Sequence, residues 1–142
     1  MATARESSKV NLDFLVNDLG LIQERNTKVF RKGKLFVISP SVQNKNNLFD
    51  IGVNIMDSFN SEEQEGYLLV RYQDQYLMAK LKAFEKKMML PDTKSVTTKL
   101  PPHWKFKVIE ATNPYILNMG DSDLSYAIQM PSENQLKSFF NN

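Results

Sequence analysis

The run from His103 to Glu110, "HWKFKVIE", places the firmest constraint on the fold. Trp104, Phe106 and Val108 alternate with Lys105 and Lys107. Successive side chains of a strand point to opposite faces, so this period of two demands a sheet with one covered and one wet side. A helix would scatter the same residues around its circumference. The segment therefore needs neighbouring strands and an apolar layer over its aromatic face.

Neighbouring strands are legible on both sides of it. "KVFRKGKLFVIS" reads as a hairpin, with Lys32-Gly33 at the turn and Phe36 and Ile38 on one face. "LFDIGVNI" resembles another strand, and "GYLLVRY" a short apolar one with Leu68 and Val70 inward. "NPYILNMGDSDLSYAIQM" predicts a second hairpin turning near Gly120. Three helices are expected around these strands. In "VNLDFLVNDLGLIQER", Asn11 is placed to cap and Leu12, Leu15, Val16, Leu19 and Ile22 form a stripe that Gly20 weakens at its end. A second helix, capped by Asp74, runs through Met89 with Leu77, Leu81, Phe84 and Met88 on one side. In "PSENQLKSFF", Ser132 with Gln135 three residues on forms a capping box. "SFNSEEQEG" and "LPDTKSVTTKLPP" are polar connections. Short turns between strands imply mostly antiparallel pairing. The expected class is α+β: a mostly antiparallel curved sheet or open pseudobarrel with helices at its ends. At 142 residues and 42% hydrophobic, the chain suits one domain spanning 1–142.

Several chemistries drop out. Cysteine is absent, which removes disulfides, thiolate zinc sites and cysteine nucleophiles. No apolar run approaches the ~20 residues of a membrane helix. "MATARESSKVN" has no hydrophobic segment of the secretory kind. A cytoplasmic protein without a membrane partner is the expectation. His103 is the single histidine and sits at a strand start after Pro101-Pro102, which favours a structural role. The five glycines are isolated, so no phosphate-cradling loop is present, and there is no Gly-x-Ser-x-Gly elbow. Asp50 with Glu85-Lys86 comes nearest to a metal-dependent nuclease core, but Glu85 lies among lysines where an i, i+4 ion pair explains it. No enzyme, cofactor, metal or catalytic residue is therefore expected. Trp104 reads as core, Phe139-Phe140 as helix packing, and the seven methionines as filler of an irregular interior.

Charge is segregated despite a net value of +2. Arg25 to Phe49 holds six cations and no acid, while Asp50 to Gly66 holds five acids and no cation. Lys80 to Lys107 holds eight lysines against Glu85 and Asp92, and Val108 to Leu136 has four acids alone. If folding brings the basic blocks onto one face, that face attracts polyanions. Between two apolar runs of the first block lies "SPSVQNKNN", rich in amides and free of acids. Asn and Gln match adenine edges, Arg and Lys match guanine, and Lys, Ser and Thr suit phosphates. "DTKSVTTKLPPH" repeats this chemistry in the second block. The candidate nucleic-acid-binding residues are Arg31, Lys32, Lys34, Ser41, Gln43, Asn44, Lys45, Asn46, Asn47, Lys94, Thr97, Thr98, Lys99 and Lys105. The plainer reading is that such residues dominate ordinary turns for backbone reasons.

The run "KLFVISPSVQNKNNLFDI", then "GYLLVRY", then "HWKFKV" followed by "NPYILN", resembles the N-terminal DNA-recognition domain of McrB-like, LlaJI-type bacterial restriction proteins. These are similar to the pseudobarrel domains of EcoRII-like endonucleases and plant B-three transcription factors. The resemblance covers about residues 28 to 118. It implies a defence-related module that binds double-stranded DNA, two loop-borne arms at residues 39 to 47 and 93 to 103 entering the major groove, and a motor and nuclease carried elsewhere. Other subunits or domains of a restriction complex would be partners, and the chain would be part of a larger multidomain protein. Three alternatives stay open: a protein–protein adaptor using residues 57 to 65 or the terminal Phe pair, an RNA or single-strand binder stacking bases on Trp104, Tyr72 or Tyr76, and a small nuclease around Asp50 and Glu85.

Overall fold

The computed structural model describes residues 4–141, with side chains from Ser8 onward. The first residues of the segment read above for a secretory signal lie outside it. In chain order the elements are α1 (Ala4–Asp13), a π-helical turn (Phe14–Asp18), β1 (Ile22–Gln23), β2 (Val29–Lys32), β3 (Leu35–Ile38), β4 (Ser41–Val42), β5 (Leu48–Gly52), α2 (Val53–Asp57), β6 (Glu65–Tyr72), β7 (Gln75–Lys80), α3 (Leu81–Met88), a short 3-10 turn (Pro91–Thr93), β8 (His103–Ile109), β9 (Tyr115–Asn118), β10 (Asp121–Ala127) and α4 (Glu133–Phe140). The class is α+β. Two mostly antiparallel sheets lie against each other and do not close into a barrel.

The first sheet runs β1-β2-β3-β6, with β7 on the far side of β6. β4 continues along the same flank of β6 as β3, and both pair with it in parallel. The second sheet, β10-β9-β8-β5, is antiparallel throughout. A single bridge, Met78 to Gln129, ties one sheet edge to the other.

The main core lies between the sheets. Phe36, Ile38, Leu68 and Val70 meet Phe49, Ile51, Phe106, Val108 and Ile116 there, and Leu81, Phe84 and Met88 of α3 join them. The other side of the first sheet is covered as well. Val37, Leu69 and Tyr76 pack with Phe14, Leu15, Leu19, Leu136 and Phe140. β6 is thus buried on both faces, which explains its nearly unbroken apolar run. The second sheet is covered on one face alone: Leu48, Asp50, Lys105, Lys107, Ile109, Tyr115 and Leu117 belong to neither core and are partly exposed. That is the wet side which the alternation in β8 required.

Much of the local reading holds. Gly33, at φ +58°, turns the β2–β3 hairpin, although the two-residue loop is Gly33-Lys34. Ser132 Oγ accepts from the Gln135 amide while the Gln135 side chain accepts from the Ser132 amide, completing the capping box. Three expectations are corrected. Asp74 caps no helix: it lies in the β6–β7 turn, and Leu77 belongs to a strand. The 77-81-84-88 spacing straddles a strand–helix junction, and both halves face the same core. Secondly, the "LFDIGVNI" strand ends at Gly52, and Val53–Asp57 is helical.

Thirdly, Asn11 caps nothing, because α1 begins before it. The residue is buried, donates to Ser39 Oγ at 3.2 Å and accepts from the Tyr76 hydroxyl at 2.9 Å. The π-helical turn that follows adds a residue per turn and rotates the expected stripe. Phe14 moves inward, while Val16 and Ile22 are exposed. Burial pushes the Tyr76 hydroxyl up to about 12, with the Arg71 guanidinium pulling against it. The neutral phenol is favoured in the fold, so its contribution is complete below pH 10 and lost as pH rises through 12. Melting temperatures measured from pH 8 to 12 should fall steeply in the parent, and less steeply in Tyr76→Phe.

Candidate nucleic-acid interface

The amide-rich tip, residues 43–47, connects the two sheets. Its shape is set by Asn44. The Asn44 Oδ1 accepts from the backbone amides of Asn46 (3.1 Å) and Leu48 (2.9 Å), and its Nδ2 donates to the Leu48 carbonyl at 2.8 Å. Such Asx geometry is why Asn recurs in tight loops. Asn47 takes φ +57°, which Asn tolerates better than most residues, and its carbonyl accepts from the Val108 amide at 2.9 Å. Gln43 Nε2 donates to the Gln73 carbonyl at 3.2 Å. Lys45 and Asn46 remain at the tip, both exposed.

The second basic loop, residues 94–102, is anchored differently. The backbones of Ser95 and His103 exchange hydrogen bonds at 2.7 and 3.2 Å, closing the loop on itself. Thr97 Oγ1 accepts from the Leu100 amide at 3.1 Å. Lys94 leans over the Trp104 ring at 6.0 Å, while Thr97, Thr98 and Lys99 are exposed. At the loop's root, Asn118 is fully buried: its Nδ2 donates to the Met88 carbonyl and to Thr93 Oγ1, and its Oδ1 accepts from the Gly120 amide. Gly120 abuts the Thr93 backbone so closely that a Cβ there would strike the Thr93 carbonyl. Gly120→Ala should therefore cost about 1–3 kcal/mol, read as a lower denaturant midpoint.

Pairing places the two loops. Leu48 lies opposite Lys107 and Gly52 opposite His103, so the tip precedes one end of the β5–β8 pair and the second loop precedes the other. Five residues of β5 separate them by about 14 Å. Between them the open face carries Lys105 and Lys107, with Tyr115 and Leu117 on the neighbouring strand. Lys107, Tyr115 and Leu117 were missed from the sequence. The alternation of β8 and β9 holds their signal, since Ile116 and Asn118 are buried between them. Acids share this region. Asp50 sits directly opposite Lys105 and 3.9 Å from His103 Nε2. Glu110 lies near the tip, 3.4 Å from the Tyr72 hydroxyl. That phenol is raised by burial first and by the Glu110 charge second.

The remaining candidates are elsewhere. Lys34 flanks the start of β6, whereas Lys45 lies past its end, about 23 Å away along the strand. The first basic block is therefore divided between two ends of the first sheet. Arg31 pairs with Glu24 at 3.3 Å and covers Phe36 at 4.8 Å. Lys32 Nζ donates to the carbonyls of Leu19 (3.3 Å) and Phe140 (3.0 Å) and to Asn141 Oδ1 (3.3 Å). It clamps the ends of two helical segments, a favourable position for a cation. Ser41 Oγ is buried and, among the described residues, makes no hydrogen bond.

Trp104, Tyr72 and Tyr76, considered above as base-stacking residues, are all core. His103 is buried, with Nδ1 3.0 Å from the Pro101 carbonyl oxygen. Asp50 points to the open side of the second sheet, and Glu85 belongs to α3 on its covered side. Burial raises the Glu85 carboxyl. Among the described residues, no three His, Asp or Glu side chains gather where a metal ion would sit. Nor is any helix of the described residues long and apolar enough to cross a membrane. No protein-family model, curated protein or solved structure matches this chain.

Proposed function

We propose that this chain is a double-stranded DNA-binding module, without catalytic machinery of its own, that delivers a larger restriction-type assembly to its sites. The observation that carries the reading is the arrangement around β5 and β8. Two exposed polar loops, one with Lys45 and Asn46 and the other with Thr98 and Lys99, stand at opposite ends of a solvent-facing strand pair bearing Lys105 and Lys107. The roots of the two loops lie about 14 Å apart along β5, a span comparable with the ~12 Å width of the B-form major groove. Lysines on the face suit phosphates, and amides and hydroxyls at the loop tips suit base edges. The resemblance to restriction-protein recognition domains supplies the expected context, with cleavage performed by other parts of the assembly.

The test is a binding selection on random duplex DNA at two salt concentrations, with single-stranded competitors included. An enriched motif and a steep loss of affinity with salt support the reading. Binding that is indifferent to salt, or a preference for single strands, refutes it. Pull-down of peptides with no duplex affinity favours the adaptor alternative instead.

A further inference from the structure

We infer that Asn46 is the base-reading residue of the tip, that its target is an adenine approached from the major groove, and that Asn44 is a positioning residue. This rests on the duplex-binding reading and sharpens it. Composition alone makes the amides of Gln43, Asn44, Asn46 and Asn47 equivalent. Their hydrogen bonds do not. Gln43 donates to the Gln73 carbonyl. Asn44 uses both ends of its amide inside the loop, and the two N–H donors on Oδ1 and the carbonyl acceptor on Nδ2 fix which way that amide points. Asn47 is half-buried, and its side chain faces the Tyr72 hydroxyl, where it opposes the rise of that phenol. Asn46 is held through its backbone amide by Asn44, and among the described residues its side-chain amide makes no hydrogen bond.

The tip therefore has a rigid base and, among the described residues, an exposed amide without a hydrogen bond at Asn46, beside Lys45. An amide offers a donor and an acceptor side by side. Adenine offers the complement, N7 as acceptor and N6–H as donor, on its major-groove edge. Lys45, a neighbouring point charge with no acceptor atom, suits the adjacent phosphate. Holding the amide on a loop already closed by three Asn44 hydrogen bonds limits the ordering cost of binding.

The experiment compares the parent, Asn46→Ala and Asn44→Ala on the duplex selected by the parent, and on the same duplex with 7-deaza-adenine at each adenine in turn. In the parent, one position should show a preference for adenine of roughly 5- to 150-fold. Replacing that adenine by its 7-deaza form, which lacks the N7 acceptor, should remove most of it. Asn46→Ala should lose the same preference, be insensitive to the 7-deaza substitution, and melt at the parent's temperature. Asn44→Ala should weaken binding while the adenine preference of the remaining complex persists in part, and its tip amides should exchange hydrogen faster. If Asn46→Ala keeps the preference, or if the 7-deaza loss is equal in parent and variant, the inference fails while the duplex reading stands. If the parent binds no duplex, both fall.

Discussion

Phe84→Ala should lower the free energy of unfolding by about 3–5 kcal/mol. Phe84 is wholly buried, and its ring meets Phe106 edge-on at 5.1 Å and Tyr126 at 5.3 Å. It therefore joins α3 to both the centre and the edge of the second sheet. Truncation leaves a cavity lined by rigid rings on strands, which have little room to collapse into it. Urea denaturation followed by fluorescence of Trp104 gives the check: the midpoint should fall sharply while the dependence on denaturant stays constant. An unchanged midpoint would mean that α3 does not occupy the space between the sheets.

The second large effect is on binding and its dependence on salt. Lys45→Ala, Lys105→Ala and Lys107→Ala should each reduce the slope of log affinity against log salt by about 0.9, if each lysine neutralises one phosphate. Together they remove about 2.7 from the slope. The affinity gap between the parent and the triple variant should then widen about 40-fold between 200 mM and 50 mM salt. Lys32→Ala is the contrasting variant. Its ammonium is held by two carbonyls and an amide oxygen, so the loss should appear in the melting temperature and leave the slope alone. Titration of one duplex at four salt concentrations separates the outcomes. Equal slopes for parent and triple variant would place the DNA on some other surface.

What the sequence reveals depends on how local the cause is. β8 is legible because its period of two reports directly on one wet and one dry face. The capping box at Ser132 and Gln135 and the turn at Gly33 are equally local. β7 was hidden. Its turn uses Gln73 at φ +52° in place of a glycine, and its inward residue Leu77 lies at helical spacing from Leu81 and Phe84. The π-helical turn left no signal in composition, yet it decides that Phe14 rather than Val16 is covered. For the candidate site, the sequence shows which loops are polar and basic, but not which lysines meet. That follows from the parallel pairing of β3 and β4 with β6, which sends Lys34 and Lys45 to opposite ends of one strand. That the Asn44 side chain is bonded within the loop while the neighbouring Asn46 is exposed is likewise invisible in the sequence.

The path of the chain between sheets has a consequence for its assembly. From β4 it leaves the first sheet to lay down β5, the edge strand of the second, and then returns to place β6 beside β3. β5 has no strand partner until β8 arrives, more than fifty residues later in the sequence. During synthesis the first sheet can form only while β5 waits with Phe49 and Ile51 uncovered. Neither sheet is a separable half, so cutting the chain between α3 and β8 should yield two aggregation-prone pieces rather than two small domains. Pairing across such long intervals also predicts slow, cooperative folding, in which the ribosome must release β8 and β9 before the molecule can close over its core.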